Sequence, residues 1–218
     1  MAIEKHINFF EIQKACEKPG CPLCRIVSDR AFKYIDNTLF EHITNRGFRA
    51  MFRSAGGFCS FHSRGLVSFR DGLAVAILSR DILEDRISCF DRKIPWRPKG
   101  RCPVCAEKEN IEQEYLTFLC NSTGNSQEEQ ELREIFVASD GLCAPHYSGL
   151  LFTLKGARRI VPSWIKNFQE QKFKELKKRL DVFIELSAYG RQDEFAQLNE
   201  KDQIVWKEAA ACLTEHIE

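Results

Sequence analysis

The sequence predicts an all-α fold made of two tandem helical repeats followed by a helical C-terminal extension. Two observations predict the duplication. The motif CPxC is written twice, as Cys21-Pro22-Leu23-Cys24 and Cys102-Pro103-Val104-Cys105, and G-[FL]-C-x-x-H-x-x-G-L is written twice, as Gly57 to Leu66 and Gly141 to Leu150. A third observation predicts the helices: apolar residues recur every three or four positions, and no run sustains the alternation of a half-buried strand.

The register of the duplication extends beyond the motifs. Phe52 and Phe136 each lie seven residues before the cysteine of their CxxH, and Tyr34 and Tyr115 each lie thirteen after the first cysteine of their CPxC. In the first repeat Val27, Ala31, Ile35, Leu39 and Ile43 form the stripe of one helix, and Leu66, Phe69, Leu73, Ala76 and Ile77 the stripe of another. Ile94 to Arg101 holds two prolines and a glycine, cannot continue a helix, and is the expected linker. In the second repeat Ile111, Tyr115, Phe118 and Leu119 share a helical face, and the polar stretch Asn121 to Glu129 reads as a longer loop. That loop accounts for the gap between CPxC and CxxH, 34 residues in the first copy and 37 in the second. After Pro162-Ser163 an amphipathic segment carries Trp164, Phe168, Leu176, Leu180, Phe183 and Ile184, and Asn199 precedes a last helix with Ile204, Val205, Ala209 and Leu213. The expected organisation is an N-terminal segment and first repeat over 1–93 (the copy itself from about residue 16), a second repeat over 101–187 and an extension over 188–218.

Composition bounds what such a chain does. Its 218 residues are 44% apolar and 29% charged, which excludes disorder and allows a sizeable core without disulfides. With 32 basic against 31 acidic side chains, the net charge of +1 supplies no overall field for nucleic acid or an anionic membrane. No apolar run reaches the roughly 18 residues of a membrane span, and Glu4 and Glu11 interrupt any signal-like segment, so the expectation is a cytoplasmic protein. Ten cysteines are many for such a protein, and in a reducing compartment they serve as metal ligands or redox groups more often than as disulfides.

A CPxC and a CxxH together supply three sulfurs and one imidazole, the ligand set of a closed tetrahedral zinc site of the CCCH type. The expected ligands are Cys21, Cys24, Cys59, His62, Cys102, Cys105, Cys143 and His146, holding two zinc ions per chain. Pro22 and Pro103 suit the first position of a helix, which makes Cys21 and Cys102 cap residues and places Cys24 and Cys105 in the first turn. Cysteines there face unpaired amides and the positive end of the helix dipole, which favour thiolate. Pairing of CPxC with CxxH inside one copy is the simplest arrangement, and exchange between copies supplies the same ligand sets. The same residues suit three other chemistries: an iron–sulfur cluster, a dithiol redox pair, and a cysteine–histidine nucleophile and base. The dithiol reading lacks the βαβ pattern that normally surrounds it, and nothing in the nucleophile reading explains two copies.

The remaining features are structural. Cys16, Cys89, Cys120 and Cys212 lack counterparts across the duplication and read as buried helix residues, Cys16 also as a spare ligand. Arg25, Arg64 and Arg101 lie close enough to ligands to offset thiolate charge, or are ordinary surface charges. His6, His42 and His216 carry no site argument, and Tyr189 and Trp206 read as packing anchors. The run Lys172 to Arg179 fits the solvated face of an amphipathic helix better than a phosphate site. No Walker loop, GxGxxG, GxSxG or HExxH is present.

The duplicated CPxC…GxCxxH pattern, with Tyr189-Gly190-Arg191 and Trp206 in the tail, resembles an uncharacterised bacterial domain-of-unknown-function family. The resemblance covers most of the chain and implies a bacterial, cytosolic metal-type Cys/His protein. One departure is Gly190, where the family is expected to run tyrosine directly into arginine. Because both ligand sets are complete without water or substrate, the sequence points to a non-enzymatic interaction or regulatory scaffold whose partner is another protein. An iron–sulfur or thiol redox protein is the alternative.

Overall fold

The computed structural model describes residues 6–69, 71–122, 126–157, 161–188 and 190–214, among which helices joined by short connections occur and no strand does. The helices are α1 (Ile7–Cys16), α2 (Pro22–Asn37, running on into a π-helical turn, Thr38–His42), α3 (Arg46–Ala55), α4 (Ser60–Ser68), α5 (Gly72–Asp91), α6 (Pro103–Asn121), α7 (Gln127–Val137), α8 (Ala144–Ala157), α9 (Ser163–Leu186), α10 (Gln192–Ala196), α11 (Glu200–Gln203) and α12 (Val205–Leu213). The all-α expectation holds. His42 stacks on Phe48 with ring centroids 5.7 Å apart, and His6 caps α1 by accepting the Asn8 N–H on Nδ1 and stacks on Phe118. His216 and Tyr189 lie outside the described residues.

The described residues divide into two compact units, one holding those up to Ile26 and from Glu112 onward, the other Val27–Ile111. These units cut across the expected segments 1–93, 101–187 and 188–218, and both divisions fall inside helices. Each of α2 and α6 gives its first turns to one unit and its remaining turns to the other. The reason lies in the Cys/His clusters described below.

In the unit formed by Val27–Ile111, local signals set the element ends. Asn45 caps α3 by accepting the Phe48 N–H at 3.0 Å, and the helix closes on Gly56, whose φ of 73° is left-handed. A side chain at Gly56 would also collide with the Trp96 ring, which the expected non-helical linker brings there. Asp71 caps α5 by accepting the Ala74 N–H. The core joins Ile35, Leu39, Phe52, Phe58, Leu66, Leu78 and Val104. Beside it, Arg49 forms a two-point pair with the buried Asp81 at 2.6 Å, and Arg53 repeats the pairing with Asp85 one turn on. The cap at Asp71 corrects one expectation: Leu66 to Ile77 is not a single stripe, because the chain re-initiates there and turns Leu73 outward, 73% exposed.

In the other unit, α7 opens with a capping box in which Ser126 and Glu129 exchange side-chain and backbone hydrogen bonds. The polar stretch expected as a loop is therefore short: α6 runs to Asn121, α7 starts at Gln127, and residues 123–125 lie outside the described residues. Phe9, Ile12, Tyr115, Leu132, Phe136 and Ile165 are fully buried. The equivalence of Phe52 with Phe136 is thus one of core positions. The Trp164 indole N–H donates to the Ser122 carbonyl at 2.9 Å. Arg179 ties α9 to the last helices through Asp202 and Glu208. Four expected packing residues of this unit face outward: Ile184 and Leu213 are each 67%, Ile204 49% and Trp206 51% exposed, the last under the Lys207 ammonium. Among the described residues no helix is long and apolar enough to cross a membrane.

Candidate metal centres

Four helices present a cysteine at the N-cap and a ligand three residues on. The carbonyls of Cys21, Cys59, Cys102 and Cys143 accept the first helical hydrogen bonds, from Arg25, Ser63, Ala106 and Tyr147. N-cap and N3 side chains face each other across the first turn, the geometry that Ser126 and Glu129 use for a capping box. Here the two positions carry Cys and Cys, or Cys and His, so each helix start offers two soft donors on one side.

The eight expected ligands meet in two groups of four: Cys21, Cys24, Cys143 and His146, and Cys59, His62, Cys102 and Cys105, each with its ligand atoms within 4.8 Å of one another. Pairing inside a repeat, the simplest expectation, is corrected: each CPxC meets the CxxH of the other copy. The physical reason lies at the second glycine of the CxxH motif, Gly65 or Gly149. A Cβ on Gly65 would sit 3.5 Å from Ile35 Cδ1, and one on Gly149 would sit 3.1 Å from Leu116 Cδ1. In both copies the CxxH helix is thus seated eleven residues (24 to 35, 105 to 116) beyond the second cysteine of its own CPxC. Eleven residues of α-helix is about 16 Å, so a histidine one turn from that glycine cannot share an ion with its own copy's CPxC.

The distances within each group suit one ion. In the first, His146 Nδ1 lies 3.5, 3.4 and 3.1 Å from the sulfurs of Cys21, Cys24 and Cys143, and the Cys24 and Cys143 sulfurs are 3.6 Å apart. In the second, His62 Nδ1 lies 3.2, 3.5 and 3.4 Å from Cys59, Cys102 and Cys105, and the Cys59 and Cys105 sulfurs are 3.8 Å apart. A tetrahedral ion with bonds of about 2.3 Å to sulfur and about 2.0 Å to nitrogen separates S from N by about 3.5 Å and S from S by about 3.8 Å. One imidazole nitrogen has a single lone pair or a single proton, and cannot serve three sulfurs by hydrogen bonding. A shared cation at the centre can.

Charge leads to the same arrangement. Thiols this close cannot all ionise unless a cation shares their charge. Hydrogen bonding with Cys21 and Cys24 pushes the Cys143 thiol far above its usual range, while Cys143 and Cys21 together hold Cys24 far below it. Against burial, contacts with Cys21 and Cys24 push His146 up to about 12. In the second group burial pushes Cys105 up to about 12. There burial opposes ionisation of Cys59 too, but hydrogen bonds with the backbone N–H groups of His62 and Phe61 and with Cys105 and Cys102 together outweigh it and lower the thiol. Burial, then the nearby Lys108, holds His62 below its ordinary value, as the neutral donor a metal needs. The first group is buried throughout, whereas Cys59 and Cys105 of the second are half-buried.

Several supporting residues carry no motif signal. Gly20 donates its N–H to Asp140 at 2.7 Å, holding the first CPxC against the CxxH turn. Buried Gln169 on α9 clamps Leu142, accepting its N–H at 2.9 Å and donating to its carbonyl at 2.8 Å. The clamp leaves no room beside Gly141, whose φ is 76°: a Cβ would lie 3.0 Å from Gln169 Oε1. Glu112 Oε1 is 3.9 Å from the buried Nε2 of His146, in ion-pair range though longer than a hydrogen bond. Its counterpart in the first repeat is Ala31, so the duplication could not have flagged it. Other expectations resolve plainly. Cys16 joins neither group; it hydrogen-bonds Ser139, and burial pushes its thiol up to about 11. Arg25 donates to the Pro19 carbonyl and Arg101 pairs with Glu109. Lys174, Lys177 and Arg179 in the basic run are paired with Glu170, Asp181 and Asp202.

No family model matches the chain, and no solved structure matches it. Among curated proteins the chain is similar to one from Caldicellulosiruptor sp. (strain Rt8B.4), "Uncharacterized 23.9 kDa protein in xynA 3'region", at 30% identity over 100 residues. The alignment covers 44% of this chain and 49% of that protein, so the chain spans about half the length of its curated relative. An uncharacterised bacterial relative accords with the resemblance carried by the duplicated motifs.

Proposed function

We propose that this is a zinc-binding, non-enzymatic interaction or regulatory scaffold of the cytoplasm, each Cys3His group holding one structural Zn²⁺. The observation that carries the reading is the placement of three sulfurs around one imidazole nitrogen, twice, at the separations of a tetrahedral ion. Zinc is favoured over an iron–sulfur cluster because four donors within 4.8 Å suit a single ion, whereas a cluster spreads its ligands over several irons. A scaffold is favoured over an enzyme because each group fills all four positions with protein atoms, and a catalytic zinc keeps one open. Internal pairing of the basic run favours a protein partner over nucleic acid.

Elemental analysis of anaerobically purified protein tests the proposal. A colourless protein with two zinc ions per chain, losing much of its helical circular dichroism on chelation, is the expected result. Brown protein with broad visible absorption and stoichiometric iron and sulfide would transfer the reading to an iron–sulfur protein. Metal content near zero would overturn both.

A further inference from the structure

Helix α5 is apolar on two opposite faces. One face buries Ala74, Leu78 and Asp81 within its own unit. The other carries Leu73, Ala76, Arg80, Leu83, Ile87 and Phe90, spaced 3, 4, 3, 4 and 3 residues apart, and all six are exposed. Leu73 and Phe90 at its ends are 73% and 80% exposed, Leu83 and Ile87 more than half. A period of 3.5 residues is the pattern of a seam that packs along a second helix.

We infer that α5 is a self-association face, along which a second copy of this chain packs its own α5 in parallel. The charges flanking the stripe choose this occupant. In a parallel pair of helices, a residue just before an "a" position faces the partner residue five further on. With Leu73, Arg80 and Ile87 at the "a" positions, Arg86 faces Asp91 of the second copy, and by symmetry Asp91 faces the second copy's Arg86. An antiparallel pair overlapping the same stripe would bring Arg86 against Ser79 instead and leave its charge unmet. Arg86 is held at the rim of the stripe by its stacking on Trp96, 4.2 Å from the ring centroid. The one polar member of the seam, Arg80, has its charge met on its own helix by Glu84 at 3.6 Å and Asp81 at 3.9 Å. It therefore offers its aliphatic stem to the interface, and a lone polar seam residue is a known means of fixing register in a two-stranded pair.

Sedimentation velocity of the purified full chain from about 1 to about 100 μM tests the inference, with helical content followed by circular dichroism. A concentration-dependent monomer–dimer equilibrium is expected. Leu83→Glu with Phe90→Glu should remove the dimer without changing the dichroism, since neither side chain belongs to the core. Asp91→Lys places like charges at both flanks and should raise the dimer dissociation constant by about ten-fold. Adding Arg86→Glu to it should restore the original constant. A chain monomeric throughout the range, a dimer indifferent to Leu83→Glu/Phe90→Glu, or a double charge exchange no tighter than Asp91→Lys would each overturn the inference.

Discussion

Two double substitutions separate the exchanged pairing of ligands from pairing inside each repeat. In Cys24→Ser/Cys143→Ser both lost sulfurs belong to one group, so one metal per chain remains; in Cys24→Ser/Cys59→Ser each group loses a sulfur, and metal falls towards zero. Pairing inside each repeat gives the opposite result in both. The structure also sets an energetic difference between the sites. The exchanged groups close chain spans of 119 residues (Cys24 to Cys143) and 46 residues (Cys59 to Cys105). Treated as cross-links, they remove about 5 and about 4 kcal/mol of conformational entropy from the unfolded chain, a difference of ~0.8 kcal/mol from loop length alone. Pairing within repeats would close nearly equal spans, 35 (24 to 59) and 38 (105 to 143), with a difference below about 0.1 kcal/mol. Cys143→Ser is therefore expected to destabilise more than Cys59→Ser, and fuller burial of the first group adds to the gap. Metal per chain by elemental analysis and stability by urea unfolding supply the readouts. One metal retained in Cys24→Ser/Cys59→Ser, with none in Cys24→Ser/Cys143→Ser, would refute the exchange.

Three further outcomes follow from the supporting residues. Gln169→Leu leaves the Leu142 N–H and carbonyl buried without partners and should cost about 2 to 4 kcal/mol in urea unfolding; a loss under about 0.5 kcal/mol would mean that the clamp is dispensable. Glu112→Gln removes the carboxylate beside His146 and should weaken metal binding at that group by about ten-fold while leaving the His62 group unchanged, measured by competition with a chelator; equal weakening at both sites would contradict a local role. The Arg49 guanidinium holds the Asp81 carboxyl below its ordinary 3.8, so the pair's stabilisation is complete above that pH and is lost as pH falls through the lower folded value. The stability gap between the native chain and Asp81→Asn should accordingly be about 2 kcal/mol near neutrality and close on acidification below pH 3.8, and a gap that widened there would reverse the assigned sign.

The sequence by itself determined what is local. Proline after Cys21 and Cys102 starts helices, and ligands three residues apart face one another across a first turn whatever lies elsewhere in the chain. The identity of all eight donors was therefore legible, as was the core role of Phe52 and Phe136, because short-range geometry and the duplication each specify them. Where helix ends depended on competing caps, reading faltered: the apolar spacing from Leu66 to Ile77 hid a break that Asp71 enforces. Only the tertiary structure decided which CPxC meets which CxxH. Both pairings offer identical ligands, and loop closure alone separates them by about 1 kcal/mol or less. The choice was made by packing, in the contact of Gly65 with Ile35 and the tighter one of Gly149 with Leu116, which seats each histidine roughly three helical turns from its own cysteine pair. Gln169, Asp140 and Glu112 were invisible for the same reason: each acts on a partner brought to it by the fold, at a distance in sequence that no periodicity encodes.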